Sequence, residues 1–187
     1  MFILTKKGLE NYLLKFGISS ESWGKGNSKT INHLLQEILK GESNLVIENK
    51  KLIREVSALS IVVTHRDMLL KEDHQEFNDG RIRRRKMKAS VAEKIDKNDK
   101  NLNEAVKRAI KEELGIEIQD SQIKETEISS STRMSMSYPE LQSRVKLYGY
   151  SIDLNDDQYN SEGYMEIQED KKTIFLWTKN KQSNEIS

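Results

Sequence analysis

Two adjacent glutamates, Glu112 and Glu113, lie near the end of the segment KRAIKEELGI at residues 107–116. At about 100° per residue, the apolar side chains from Leu102 to Ile110 form one stripe of a helix. Glu113 falls within this stripe and Glu112 at its border. A carboxylate on a core-facing stripe is costly unless it is paired or bound to a cation. Two such groups therefore offer hard oxygen ligands for Mg²⁺ or Mn²⁺.

Two structural interpretations of these glutamates remain open beside the metal site. Glu113 lies in the last helical turn before Gly115, where the chain leaves the core and a side chain can reach solvent. Arg108 and Glu112 are four residues apart, which is the spacing of an ordinary ion pair on a helix surface.

A second candidate site is the basic segment RIRRRK at residues 81–86. If this segment is a strand of period two, Arg81, Arg83 and Arg85 share one face. A row of guanidinium groups suits a phosphate or a phosphodiester backbone. A solvated basic edge strand that resists aggregation explains the same pattern.

Helices and strands in a definite order must position these residues. Helical periodicity predicts a first helix ending near Gly17 and a second ending near Gly41, capped by Asn27 or Ser28. A helix is predicted over 102–114, and 120–140 is expected to be a long polar segment. A turn is predicted at 78–80, and β-branched or alternating segments predict strands over 45–49, 52–65, 68–77, 81–90, 116–119, 144–154 and 172–179.

Composition excludes several classes of site. The 187 residues contain no cysteine, which excludes disulfides, thiolate zinc sites and a cysteine nucleophile. The three histidines are far apart in sequence, which disfavours a multi-histidine metal site. The net charge of +1 gives no global field for nucleic acid or an anionic membrane. No segment is typical of a membrane span or a signal peptide, so a cytoplasmic location is expected.

The segment RAIKEELGI is similar to the end of the Nudix hydrolase box, G-x5-E-x7-R-E-U-x-E-E-x-G-U, in which U is aliphatic. The matching residues are Arg108, Ile110, Glu112, Glu113, Gly115 and Ile116. Four further segments resemble a group of Nudix-like proteins with a helical N-terminal extension: residues 23–30, 41–43, 81–86 and 137–141. This resemblance implies an α/β fold, a Nudix-like α/β/α sandwich with a mixed sheet, preceded by a two-helix extension.

The resemblance also implies roles for individual residues. Glu112 and Glu113 would bind Mg²⁺ or Mn²⁺, and Arg108 would hold the carboxylate cluster in place. One of Glu162, Glu166 and Glu169 could supply a base from a late loop. Arg81, Arg83 and Arg85 would lie near an anionic substrate.

The box is degenerate before Arg108. Ala109 stands where the family has a glutamate that binds metal, and the first glutamate and glycine of the box fall on Lys100 and Lys94. A one-residue insertion would bring Asp99 or Asp96 near the acidic position.

Three functional hypotheses follow from these motifs. The first is metal-dependent hydrolysis of a nucleoside diphosphate-linked compound or another organic pyrophosphate. The second, motivated by Ala109, is a catalytically impaired module that binds a nucleotide or a partner protein. The third is RNA binding through the arginine segment, against which the neutral charge counts.

A homodimer is compatible with the sequence. The expected division is a helical extension at 1–42, a Nudix-like domain at 43–180 and a polar tail at 181–187.

Overall fold

A computed structural model describes residues 5–26, 28–96 and 98–180. These described residues form three α-helices, nine β-strands and one 3₁₀ turn at Asp120–Gln122. The helices are α1 (Lys6–Leu14), α2 (Ile31–Leu39) and α3 (Leu102–Leu114). The strands are β1 (Asn44–Glu48), β2 (Lys51–His65), β3 (Met68–Phe77), β4 (Ile82–Arg83), β5 (Val91–Lys94), β6 (Ile123–Met134), β7 (Gln142–Asp153), β8 (Tyr164–Ile167) and β9 (Lys171–Lys179).

All nine strands belong to one sheet, with the hydrogen-bonded order β6-β7-β2-β3-β9-β8. Strands β1 and β5 pair with β2, and β4 pairs with β3. Residue numbers rise together along β2 and β7: Arg54 donates to the Ser143 hydroxyl, and the Leu154 amide donates to the Thr64 carbonyl. These strands are therefore parallel, whereas β3 and β9 are antiparallel. The predicted α/β class, with a mixed sheet and two N-terminal helices, is confirmed.

The chain divides into two compact units by its contacts. Of the described residues, the first contains 5–26, 28–58, 94–96, 98 and 129–147, and the second contains 59–93, 99–128 and 148–180. The expected boundary after residue 42 stays a prediction, and the expected tail at 181–187 lies outside the described residues. No helix in the described ranges is long and apolar enough to cross a membrane.

The first unit has its own apolar core and a buried ion pair. Leu9, Leu13 and Leu34 are fully buried in the core between the two N-terminal helices. At the edge of this core, Arg54 of β2 donates to Glu37 of α2 with an Nη2–Oε2 distance of 2.6 Å. Both side chains are buried, so each charge is stabilised by the other rather than by water.

In the second unit, α3 and the sheet supply the buried residues. Val106 and Ile110 of α3 are fully buried, as are Leu70 of β3 and Ile152 of β7. Helix α3 begins at an asparagine cap, in which Asn101 Oδ1 accepts from the Glu104 amide at 2.9 Å. This local capping, together with the apolar stripe, is why the predicted helix over 102–114 is confirmed.

Several local expectations were wrong. The cap of α2 is Thr30 rather than Ser28, because the Thr30 hydroxyl accepts from the His33 amide; Asn27 lies outside the described residues. Residues 116–119 form no strand: Ile116 and Ile118 are buried alternately without ladder pairing. The segment expected to be long and polar contains the 12-residue strand β6, whose side chains are nearly all exposed. Its residues therefore lack the apolar alternation that marks a half-buried strand.

Candidate functional site

Glu113 occupies the last turn of α3, on the side of the helix that faces the core. Val106 and Ile110 on the same stripe are fully buried, and the Glu113 side chain is half-buried. Gly115 ends the helix in the left-handed region with φ 70°, which a glycine adopts without a steric penalty. The predicted core-facing position of Glu113 is therefore confirmed.

Glu113 lies against two other carboxylates. Its side chain is within hydrogen-bonding reach of Glu166, and Glu93 lies close enough to act through its charge. Burial, together with these like charges, raises the pKa of Glu113 to about 8, although Lys171 opposes the shift. Two carboxylates in contact cannot both be ionised cheaply, so Glu113 keeps a proton at neutral pH.

Strand β8 brings Glu166 to this position. Its first residue follows Gly163, which has φ 84°. A Cβ atom at Gly163 would lie 2.0 Å from the carbonyl oxygen of Phe175, so only glycine allows this approach of β8 to β9. In the ladder, Glu166 pairs with Thr173 of β9. Of the three late glutamates considered from the sequence, Glu162 and Glu169 are exposed and Glu166 is half-buried at the cluster.

Arg85 is the cation next to the carboxylate pair. It donates through both Nε and Nη2 to Glu72, with an Nε–Oε1 distance of 2.7 Å. The Glu72 side chain is 1% exposed and that of Arg85 is 35% exposed. The hydrogen bonds to Glu72 raise the pKa of Arg85, and the charges of Glu113 and Glu166 add to the effect. The guanidinium of Arg85 is therefore a positive group beside Glu113 and Glu166, and it is partly exposed to solvent.

The other two arginines that were expected to share a face with Arg85 do not join this cluster. Only Ile82–Arg83 forms a strand, so the expected strand over 81–90 and its period-two face are wrong. Arg81 turns back to Asp79, with an Nε–Oδ2 distance of 2.7 Å, and Arg83 is exposed. Asp79 in the turn binds the guanidinium of Arg81. The irregular chain after β4 places a different guanidinium, that of Arg85, against the sheet.

A β-bulge in β3 puts further polar side chains on the same face of the sheet. The register with β9 shifts between Glu72 and His74. As a result Glu72 and Gln75, rather than Glu72 and His74, are the buried residues of this stretch. Gln75 pairs with Thr173, which in turn pairs with Glu166. Opposed residues in antiparallel strands point to one face, so a polar row crosses three strands.

Arg108 organises a second group of charges on α3. It forms a bidentate ion pair with Asp99, in which Nε–Oδ1 and Nη2–Oδ2 are both 2.9 Å. Its Nη1 also donates to Glu112 at 2.9 Å, which confirms the pairing expected from the four-residue spacing. Asp99 is nearly buried whereas Glu112 is 55% exposed. Glu112 therefore faces Arg108, and Glu113 alone of the two glutamates joins the carboxylate pair.

The carboxylate oxygens fit a divalent cation whose coordination shell is completed mainly by water and substrate rather than by the protein. Within the described ranges, no group of three or more histidine, cysteine, aspartate or glutamate side chains is arranged to hold a metal ion. Mg²⁺, however, is commonly held by one or two carboxylates, with waters and substrate phosphates completing its shell. Glu113 and Glu166 supply that number of hard oxygen ligands, and a cation would relieve the repulsion between them.

Four members of the cluster were not identified from the sequence: Glu72, Gln75, Glu93 and Thr173. The bulge prevents Glu72 and Gln75 from being recognised in the sequence. A regular strand would place residues that are two apart on one face, whereas these two are three apart. Glu93 lies in the four-residue strand β5, which was not predicted. Position 109, where the family has a glutamate, is the fully buried Ala109, so the acidic partners of Glu113 come from β5 and β8 instead.

Neither a protein-family model nor a curated protein matches the chain. Among solved structures, the chain is similar to the mutator MutT protein from Bacillus halodurans, with 17% identity and a TM-score of 0.37. The match covers 52% of this chain and 56% of that protein, little more than half its length. It is also similar to the E. coli ORF135 protein, with 14% identity, a TM-score of 0.37 and coverage of 67% and 74%. At this similarity neither structure indicates what the chain binds.

Proposed function

We propose that the protein is a Nudix-like hydrolase that uses Mg²⁺ or Mn²⁺ to cleave an organic pyrophosphate, such as a nucleoside diphosphate linked to another group. The observation that carries this proposal is the contact between Glu113 and Glu166, two carboxyl groups held together beside Arg85. Strongly shifted carboxyl pKa values are typical of functional sites. The Nudix-like segment around Glu113 supports the same chemistry.

The proposal gives distinct roles to Glu113, Glu166, Arg85 and Arg108. Glu113 and Glu166 hold the cation, which when bound supplies Lewis-acid polarisation of the phosphate and an activated water. Arg85 presents its partly exposed guanidinium to a phosphate oxygen, and Glu72 keeps that guanidinium in a fixed orientation. Arg108 acts through Asp99 to fix the start of α3, with Glu112 as its outer partner.

The alternative function is a catalytically impaired module that binds a nucleotide or partner without hydrolysis. The replacement of a family glutamate by the buried Ala109 favours it, since one carboxylate fewer weakens metal binding. In such a module the partly exposed guanidinium of Arg85 receives a phosphate group.

A turnover assay separates the two functions. Wild type is incubated at pH 8.5 with nucleoside diphosphate sugars, dinucleoside polyphosphates and Mg²⁺ or Mn²⁺, and nucleotide products are followed by chromatography. Glu113→Gln and Glu166→Gln each remove a proposed ligand while preserving shape, and Glu112→Gln is the matched control on an exposed neighbour. We expect turnover that both ligand variants lower by at least about a hundredfold and the control leaves within a few-fold. Nucleotide binding without turnover in wild type would instead support the impaired module.

A further inference from the structure

Two buried oxygen atoms in the polar row have no hydrogen-bond partner. They are Gln75 Oε1 and Thr173 Oγ1, on residues that are 2% and 1% exposed. Only one other buried side-chain atom in the described residues shares this property, and it lies in the first unit. Since buried polar groups in folded proteins are nearly always paired, two orphans side by side require an explanation.

The two orphans belong to neighbouring residues. Gln75 of β3 and Thr173 of β9 are opposite each other in the ladder, so their Cβ atoms are about 5 Å apart. Glu166 lies on the other side of Thr173 in the same row. Three oxygen-bearing side chains from three strands therefore lie in one row on the same face of the sheet, and two of them are buried.

A single water molecule matches the donors and acceptors of this row. Gln75 Oε1 can only accept, a carboxylate can only accept, and the Thr173 hydroxyl can do either. A water that accepts from Thr173 can donate one hydrogen to Gln75 and the other to Glu166. That makes three hydrogen bonds, the usual number for a buried water.

We propose that Gln75 and Thr173 hold a buried water that orients the Glu166 carboxylate toward Glu113. The two residues are then positioning residues, which act through the water on a ligand of the cation. The metal-related part of this inference rests on the proposed function; the water site rests on the two orphan oxygens alone. Partners of a metal-binding carboxylate typically change metal affinity by about 10–100-fold when removed.

The test uses the full chain and two independent measurements. Thr173→Val removes the hydroxyl at nearly constant volume, Thr173→Ser restores it, and Gln75→Met removes the acceptor oxygen. Thr178→Val, on the same strand but exposed, is the matched control. High-resolution crystal structures show whether the water is present. Titration with Mn²⁺ in the presence of methylenediphosphonate, followed by electron paramagnetic resonance, measures the affinity for Mn²⁺ without turnover. Thermal melting first establishes that each variant folds.

We expect water density between positions 75 and 173 in wild type and Thr173→Ser, and none in Thr173→Val. Mn²⁺ affinity should fall about 10–100-fold in Thr173→Val and Gln75→Met, and by less than about threefold in Thr173→Ser and the control. A direct hydrogen bond from the Gln75 amide nitrogen to the Thr173 hydroxyl would overturn the proposal, as would unchanged affinity in both test variants. If wild type holds the water but binds no Mn²⁺, the water site is upheld and the proposed function fails.

Discussion

Replacing Glu113 with glutamine should make the protein more stable at alkaline pH, although it removes a proposed functional group. The pKa of Glu113 rises from 4.5 to about 8 because the side chain is buried and lies against Glu166 and Glu93. Between these values the folded chain keeps a proton that the unfolded chain releases. The free energy of unfolding of wild type therefore falls as the pH rises from 4.5 to 8.

The magnitude follows from the size of that interval. Each pKa unit is worth about 1.4 kcal/mol, so a shift of this size sets a ceiling of about 5 kcal/mol. Glu113 is only half-buried, so we expect about 2–3 kcal/mol after solvent screening. For a chain of this length that corresponds to a difference of about 5–10 °C in Tm.

Thermal melting at pH 5.5 and pH 8.5, without divalent cations, measures this effect. Glu113→Gln should melt near wild type at pH 5.5 and higher at pH 8.5. Glu112→Gln is the control, because that side chain is 55% exposed and its loss should cost less than about 1 kcal/mol at both pH values. A Tm difference between Glu113→Gln and wild type that does not change between the two pH values would refute the assignment of a buried, protonated Glu113.

Three other predictions concern charged residues and metal. Arg85→Leu should lower the free energy of unfolding by about 3–5 kcal/mol in urea, because it leaves Glu72 buried and unpaired; the exposed Arg83→Leu should change it by less than about 1 kcal/mol. Burial raises the pKa of Glu37, but its cationic neighbours outweigh this and lower it from 4.5, so ionised Glu37 stabilises the fold above that pH. Glu37→Gln should therefore cost about 3–5 kcal/mol at pH 7, and the gap to wild type should narrow below pH 4.5; a gap that stays constant contradicts this. Mn²⁺ with methylenediphosphonate should raise the Tm of wild type at pH 8.5, EDTA should reverse the increase, and Glu113→Gln should show neither change.

The helix that carries the site could be predicted from the sequence because its signals are local. Apolar residues at helical spacing and the glycine at position 115 determine where α3 lies and which face Glu113 occupies. The ion pair between Arg108 and Glu112 depends only on a spacing of four residues. Such features need no knowledge of distant parts of the chain.

The partners of Glu113 could not be predicted in the same way. Glu166 reaches it because the four-residue strand β8 pairs with β9, and no local pattern distinguishes Glu166 from Glu162 or Glu169. Arg85 reaches the cluster because β4 ends after two residues and the period-two spacing fails. Both outcomes bring side chains to Glu113 from segments that are far from α3 in sequence.

The bulge in β3 makes the site sensitive to the length of the chain as well as to its side chains. If Asp73 took a regular place in the strand instead of forming the bulge, the alternation that begins at Leu70 and Glu72 would bring His74 inward and turn Gln75 outward. Deleting Asp73 would therefore remove the bulge and keep Gln75 inward, whereas a deletion or insertion elsewhere in the strand inverts the positions that follow it. Length changes in β3 other than the loss of Asp73 should be tolerated far less than substitutions at its exposed positions.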